Sequence, residues 1–233
     1  MSDQKKIWDH FQTESINNFD DAIPRLRYLL KKAKSYLKNK KGNSVKVLNI
    51  GIGNGWIEKA CFKFGFEVSA IDPSENAVEQ LKKTGINALK ASISSLPFDN
   101  DTFDIVFCSE VFEHLDNNEL ATGLKEIARI LNKDGILIGT VPYNELLETN
   151  KTVCPSCGHV FHRWGHQQSF TKDKLRKIAE EYRFKDIELK VMAFPDFSRP
   201  ALKDKIKSSI RWILGRCSAG IANPNLFFIF KKN

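Results

Sequence analysis

The sequence predicts an α/β fold built on a doubly wound parallel sheet. Three observations carry this. Apolar runs that read as buried strands alternate with segments of helical period from Val45 to Val141. The first run, Val45-Lys46-Val47-Leu48-Asn49-Ile50, feeds directly into Gly51-Ile52-Gly53-Asn54-Gly55. The next apolar run ends on an acid, Asp72. Glycines after a strand let the backbone turn sharply and approach a ligand that a Cβ would block. A carboxylate at the end of the second strand is placed to take the hydroxyls of a ribose. The pattern therefore points to a cofactor containing a nucleoside. A dinucleotide needs a third glycine at the position of Trp56, and Gly55 falls one residue early for it.

The elements follow in order. Ile23, Leu26, Leu29, Leu30, Ala33 and Leu37 recur at helical spacing, so the first 40 residues read as helix, stopped by Gly42-Asn43. Strand one spans 45–50. A helix from Trp56 to Phe64 breaks at Gly65, and strand two runs from Glu67 to Ile71. Pro73-Ser74-Glu75 opens a helix to Lys83, closed by Thr84-Gly85, and a short strand follows near Ala88 to Ala91. Asp99-Asn100-Asp101 makes a turn. Phe103 to Cys108 is a near-continuous apolar run, the signature of a strand covered on both faces. A helix from Glu119 to Leu131 stops at Asn132-Lys133-Asp134-Gly135, and strand five is Ile136 to Val141. Residues 143–170 show no periodicity. Thr171 to Tyr182 reads as helix and Asp186 to Met192 as strand. Residues 194–224 form a second irregular insertion before a last strand from Asn225 to Lys231. The expected division is an N-terminal helical cap, 1–44, and a cofactor-binding domain, 45–233, carrying insertions 143–170 and 194–224.

Composition bounds the rest. The 233 residues suffice for one α/β domain with a sizeable core. No apolar run reaches the ~18 residues of a membrane span, and the polar start carries no secretory signal. Five scattered cysteines fit a reducing cytoplasm better than a disulfide framework. The net charge of +8 is spread over lysine-rich helix faces, which ordinary solvation explains. The stretch 199–214 has an apolar face, Ile206, Ile210, Ile213 and Leu214, ringed by basic residues, as in a substrate lid or a membrane-surface helix.

Four segments together resemble the class I S-adenosylmethionine-dependent methyltransferases, in particular the methyltransferase-11 group. They are VLNIGIGNG (47–55), AIDPSENAV (70–78), SSLPFDNDTFDIVFCSEVFEHL (94–115) and LKEIARILNKDGILIGTVP (124–142). The resemblance implies a Rossmann-like seven-stranded sheet whose last strand, 225–231, inserts antiparallel. It also implies S-adenosylmethionine as cofactor, with Gly51 and Gly53 under the methionine part, Asp72 on the ribose, and Ser92 and Ile93 beside the adenine. Asn49, Pro73 and Ser109 complete the expected cofactor set. Asn49 departs from the acid that many members carry there.

Two further constellations bear on chemistry. Methyl transfer to a hydroxyl needs an in-line nucleophile and removal of its proton. Glu110, Glu113 and His114 converge if 110–114 is a helical turn. This E-x-x-E-H is similar to the metal motif of ubiquinone-biosynthesis O-methyltransferases and small-RNA 2′-O-methyltransferases, in which a further histidine completes the site; His166 occupies a comparable place. The expected catalytic residues are thus His114, His166 and Glu110. Either Glu110, Glu113, His114 and His166 hold Mg²⁺ or Mn²⁺, or His114 acts as a lone general base. Separately, Cys154-x₂-Cys157 followed by His159 and His162 resembles a zinc knuckle. The expected function is O-methylation of a small hydroxyl-bearing acceptor, anionic or glycan-derived, such as a sugar or phosphorylated sugar. The alternatives are an RNA 2′-O-methyltransferase, with nucleic acid the less favoured partner, and a non-catalytic zinc-stabilised binding module on the same fold.

Overall fold

The structure is a computed structural model that describes residues 16–37, 45–196 and 224–233, together with residues 7, 10, 203, 206, 208–210, 213 and 214. A 3₁₀ segment, Ile16–Ala22, leads into α1 (Ile23–Leu37). Then follow β1 (Lys46–Ile50), α2 (Trp56–Lys63), β2 (Glu67–Asp72), α3 (Glu75–Lys82), β3 (Asn87–Lys90) and β4 (Phe103–Ser109). The second half holds α4 (Asn117–Ile130), β5 (Leu131–Pro142), β6 (Lys151–Val153), β7 (Val160–His162), α5 (Lys172–Glu181), β8 (Phe184–Met192) and β9 (Asn225–Lys232).

Seven strands form one sheet in the order β3-β2-β1-β4-β5-β9-β8. β1 pairs in parallel with β2 and β4, and β4 with β5, while β9 runs antiparallel to both β5 and β8. The order reverses at β1, so the C-terminal ends of β1 and β4 flank the crevice where such sheets bind ligands. Alternate residues of each strand build two cores. Leu48, Val106, Leu137 and Phe228 pack with Leu124 and Ile127 of α4 and Leu175 of α5. Val47, Ile105, Ile136 and Phe227 pack with Leu29 of α1, Ile57 of α2 and Val78 of α3. This two-sided burial is why the strands read as continuous apolar runs.

Local chemistry sets the boundaries. Ser74 caps α3 and Thr171 caps α5. Asp116 caps α4 in a full capping box with Glu119, which starts that helix two residues before the expected Glu119. Gly139 allows β4 and β5 their close approach, because a Cβ there would stand 1.8 Å from the Cys108 carbonyl oxygen. The expected stop at 132–135 is instead a bulge inside β5. Pairing passes from Phe103–Leu131 to Ile105–Ile136, Asp134 takes φ 66°, and Asn132 Nδ2 donates to Asp104 at 2.8 Å. Residues 143–170 are not structureless. They contain a 3₁₀ turn, Leu147–Asn150, and the hairpin β6–β7, whose three-residue strands are too short to show a period. Most of 199–214 and of the proposed cap's 1–44 outside 16–37 lies beyond the described residues, so the lid or membrane-surface helix does too. No described helix is long and apolar enough to cross a membrane.

Candidate active site

A cavity of about 390 Å³ opens at the C-terminal ends of β1, β2 and β4. Its floor is the glycine turn. Gly51 adopts φ 87°, and a Cβ there would come within 2.9 Å of Val111 Cγ2, so position 51 excludes side chains on both counts. Asn49, buried at the end of β1, braces this turn: its Nδ2 donates to the Gly51 carbonyl at 2.8 Å and to Glu58 Oε1 of α2 at 2.7 Å. The fully buried Glu58 explains the amide at position 49, since a second acid there would set two carboxylates against each other. Asp72 accepts from the Ile52 N–H through Oδ2 and from the Ser74 N–H through Oδ1, both at 2.8 Å. Pro73, Ser92, Ile93 and Ser109 also line the cavity. Phe19, Arg25 and Leu26, from the 3₁₀ segment and α1, cover it.

The far end of the cavity is acidic and imidazole-rich. Glu113 and His114 sit in a 3₁₀ turn, Phe112–His114, immediately after β4. His166 is brought beside them by main-chain lacing: the Gln167 and Gln168 N–H groups both donate to the Glu113 carbonyl, and Gln167 Nε2 donates to that of His114. Glu113, His114 and His166 each offer a ligand atom within 4.8 Å of the others. Both Glu113 carboxylate oxygens are buried without a hydrogen-bond partner. Burial and the neighbouring Glu110 charge push its carboxyl well above the usual carboxylate range. Burial, with the nearby His166, pushes His114 down to about 3, so its imidazole is neutral.

Glu110 does not join this group. It takes φ 57°, and its carboxylate turns to Asn225 Nδ2 of β9 at 3.0 Å, with Arg25 Nη1 at 3.9 Å. The expected convergence assumed a helical turn from 110, and a left-handed residue ahead of the 3₁₀ turn breaks that geometry. Nor does the expected zinc set assemble. Among the described residues, no metal-competent cluster contains Cys154 or Cys157. The two cysteines occupy the tip of the β6–β7 hairpin, where Cys154 N–H donates to the His159 carbonyl. His159 stacks on Phe161, whereas His162, at the hairpin's other end, faces Glu145 and His166. Three-residue strands separate His162 from the tip and prevent the four ligands from meeting.

Residues 48–139 match the family model described as a methyltransferase domain. Over these residues the chain is similar to a methyltransferase domain, and its seven-stranded sheet with an antiparallel strand beside β5 is the fold of solved S-adenosylmethionine-dependent methyltransferases. The chain resembles the ubiquinone biosynthesis O-methyltransferase of Rickettsia bellii, at 31% identity over 124 residues, covering 50% of each chain. The chain thus spans about half the length of the curated relatives it matches. Two solved structures share the fold across almost the whole chain. A chain of the complex between the Haloferax volcanii Trm112 methyltransferase activator and a methyltransferase superposes with TM-score 0.66 at 18% identity, covering 96% of each chain. The Burkholderia thailandensis 1,6-didemethyltoxoflavin-N1-methyltransferase, solved with bound 1,6-didemethyltoxoflavin and S-adenosylhomocysteine, gives TM-score 0.61 at 15% identity, covering 100% of this chain and 92% of that one. Of the residues that line or flank the cavity, the sequence pointed to the glycine turn, Asp72 and the Glu113–His114–His166 group. It did not point to Phe19, Arg25 or Glu145. Glu145 carries no spacing signal, because the loop that holds it has no period.

Proposed function

We propose that the protein transfers a methyl group from S-adenosylmethionine to a hydroxyl oxygen of a small metabolite, with sugars and phosphorylated sugars the acceptor class to screen first. The single observation that carries this reading is one cavity joining the glycine turn and Asp72 to the buried Glu113–His114–His166 group. The relatives named for ubiquinone biosynthesis methylate oxygen by their name, which supports an oxygen acceptor.

The residues fit the cofactor. Gly51 and Gly53 leave a cradle that side chains would fill, and a carboxylate in the cavity wall, Asp72, suits ribose hydroxyls. When bound, S-adenosylmethionine supplies the electrophilic methyl. The residues also fit a divalent ion such as Mn²⁺ or Mg²⁺. A buried carboxylate with no partner calls for a proton or a cation, and a neutral imidazole is the form that ligates metal. Glu113, His114 and His166 would hold it, and the ion would supply Lewis acidity that lowers the acceptor hydroxyl's pKa. The lone-base alternative for His114 is disfavoured, because a conjugate acid with pKa about 3 takes protons poorly at neutral pH. Adjacent hydroxyls of a sugar chelate such an ion well, which is why sugars come first.

Titration calorimetry tests the cofactor. S-adenosylmethionine and S-adenosylhomocysteine should bind, and Asp72→Ala should weaken binding by ~1–3 kcal/mol. Binding of NAD, with no heat from either sulfur ligand, would overturn the assignment. A screen of hydroxyl acceptors for release of S-adenosylhomocysteine, with and without chelator, then tests the acceptor class.

A further inference from the structure

The loop after β5 places Glu145 behind the acceptor end of the cavity. Tyr143 bridges to Phe170, and Asn144 N–H donates to the Phe170 carbonyl, which anchors the loop beside the chain carrying His166. The Glu145 side chain is only 13% exposed, and two imidazoles meet its carboxylate. His166 Nδ1 lies 2.5 Å from Oε2, and His162 Nε2 lies 3.5 Å from Oε1, which also accepts from Asn150 Nδ2 at 2.8 Å.

The protonation of both rings follows from their partners. His162 Nδ1 accepts the His166 main-chain N–H at 3.0 Å and the Trp164 N–H at 3.3 Å, so that nitrogen carries no proton. A neutral ring so held has its proton on Nε2, the atom facing Glu145. His162 therefore points its Nε2–H at the carboxylate from 3.5 Å, outside hydrogen-bond geometry, and has no lone pair left for a metal, although Glu145, His162 and His166 lie close enough to suggest one. A carboxylate only accepts, so His166 Nδ1 carries its ring's proton, which leaves the lone pair on Nε2. The His162 and His166 rings stack at 4.8 Å with an interplanar angle of 19°, fixing the plane of His166 against the edge of His114.

We propose that Glu145 is the positioning residue of the acceptor site: hydrogen-bonded to His166 Nδ1, it locks His166 in the Nδ1–H tautomer and presents Nε2 as a lone-pair donor beside Glu113 and His114. Asn150 Nδ2 holds the other carboxylate oxygen in place, with the His162 ring packed beside it. A carboxylate behind a ligating imidazole raises its basicity and sets its orientation. The role in catalysis rests on the methyl-transfer reading above. The tautomer itself does not, and it can be read without turnover.

The experiment is long-range ¹H–¹⁵N NMR on histidine-labelled protein, with assignment by His166→Gln and His162→Gln. The expected result is His166 as the Nδ1–H tautomer and His162 as the Nε2–H tautomer. In Glu145→Gln, His166 should shift to a mixture of tautomers, and Glu145→Asp should restore part of the lock. Mn²⁺ affinity, read by electron paramagnetic resonance, should fall about 10- to 100-fold in Glu145→Gln, with S-adenosylmethionine affinity unchanged. Wild-type His166 found as the Nε2–H tautomer would overturn the proposal, even if Glu145→Gln failed to fold. So would a folded Glu145→Gln protein with an unaltered His166 tautomer. Failure of the wild type to bind S-adenosylmethionine would instead strike the methyl-transfer reading and leave the tautomer result intact.

Discussion

Glu58 gives the sharpest quantitative test of the cofactor floor. Its carboxyl is fully buried on α2, beneath the glycine turn, with Oε1 accepting from Asn49 and Oε2 without a partner. Burial lifts its pKa from 4.5 to about 7. At 1.36 kcal/mol per unit, that difference corresponds to ~3 kcal/mol. The sign follows from proton linkage. The folded pKa lies above the unfolded one, so the folded state binds the proton more tightly. The contribution is fully present below pH ~4.5, falls as pH rises through ~7, and is absent above that. Glu58→Gln removes this pH dependence. It still offers an oxygen to Asn49, while placing an amide where Oε2 had no partner, at a cost that does not vary with pH. The assay is urea unfolding of both proteins at pH 5 and pH 8. Between those values wild type should lose ~2–3 kcal/mol more stability than Glu58→Gln, because part of the full difference is already gone at pH 5. A difference of zero would refute the reasoning and show that Glu58 stays ionised or is hydrated in the folded protein.

Two further outcomes are expected. Gly139→Ala drives a methyl group into the Cys108 carbonyl and against Phe228, so β4 and β5 must separate; circular dichroism should show a melting temperature ~2–12 °C lower, as overpacking of ~1–3 kcal/mol implies for a chain of this size. Cys61, raised to about 12 by burial, and Cys108, raised well above the usual thiol range by burial, should resist iodoacetamide in the native protein at pH 7.5. Cys154, whose thiol is lowered by the Cys157 and Ser156 N–H groups, should react before either, as peptide mass spectrometry would show.

What the sequence determined by itself was whatever depends on neighbours along the chain. Two-sided burial makes β1 and β4 near-continuous apolar runs, so the sheet was legible from Val47-Leu48 and Ile105-Val106-Phe107 alone. A turn that must lack a Cβ, as at Gly51, requires glycine, so the cofactor floor was legible as well. The tertiary structure decided what depends on partners distant in sequence. Glu110 and Glu113 sit three residues apart, but Asn225, 115 residues away, turns the Glu110 carboxylate away from the Glu113–His114–His166 cluster. His162 reads as a zinc ligand beside Cys157, yet its Nδ1 accepts two main-chain N–H groups and its Nε2 faces the carboxylate of Glu145, away from the cysteines. Glu145 itself has no mark in the sequence. Its role comes from the bridge between Tyr143 and Phe170, a contact between segments far apart in the chain, and spacing along a loop without period carries no record of such a contact.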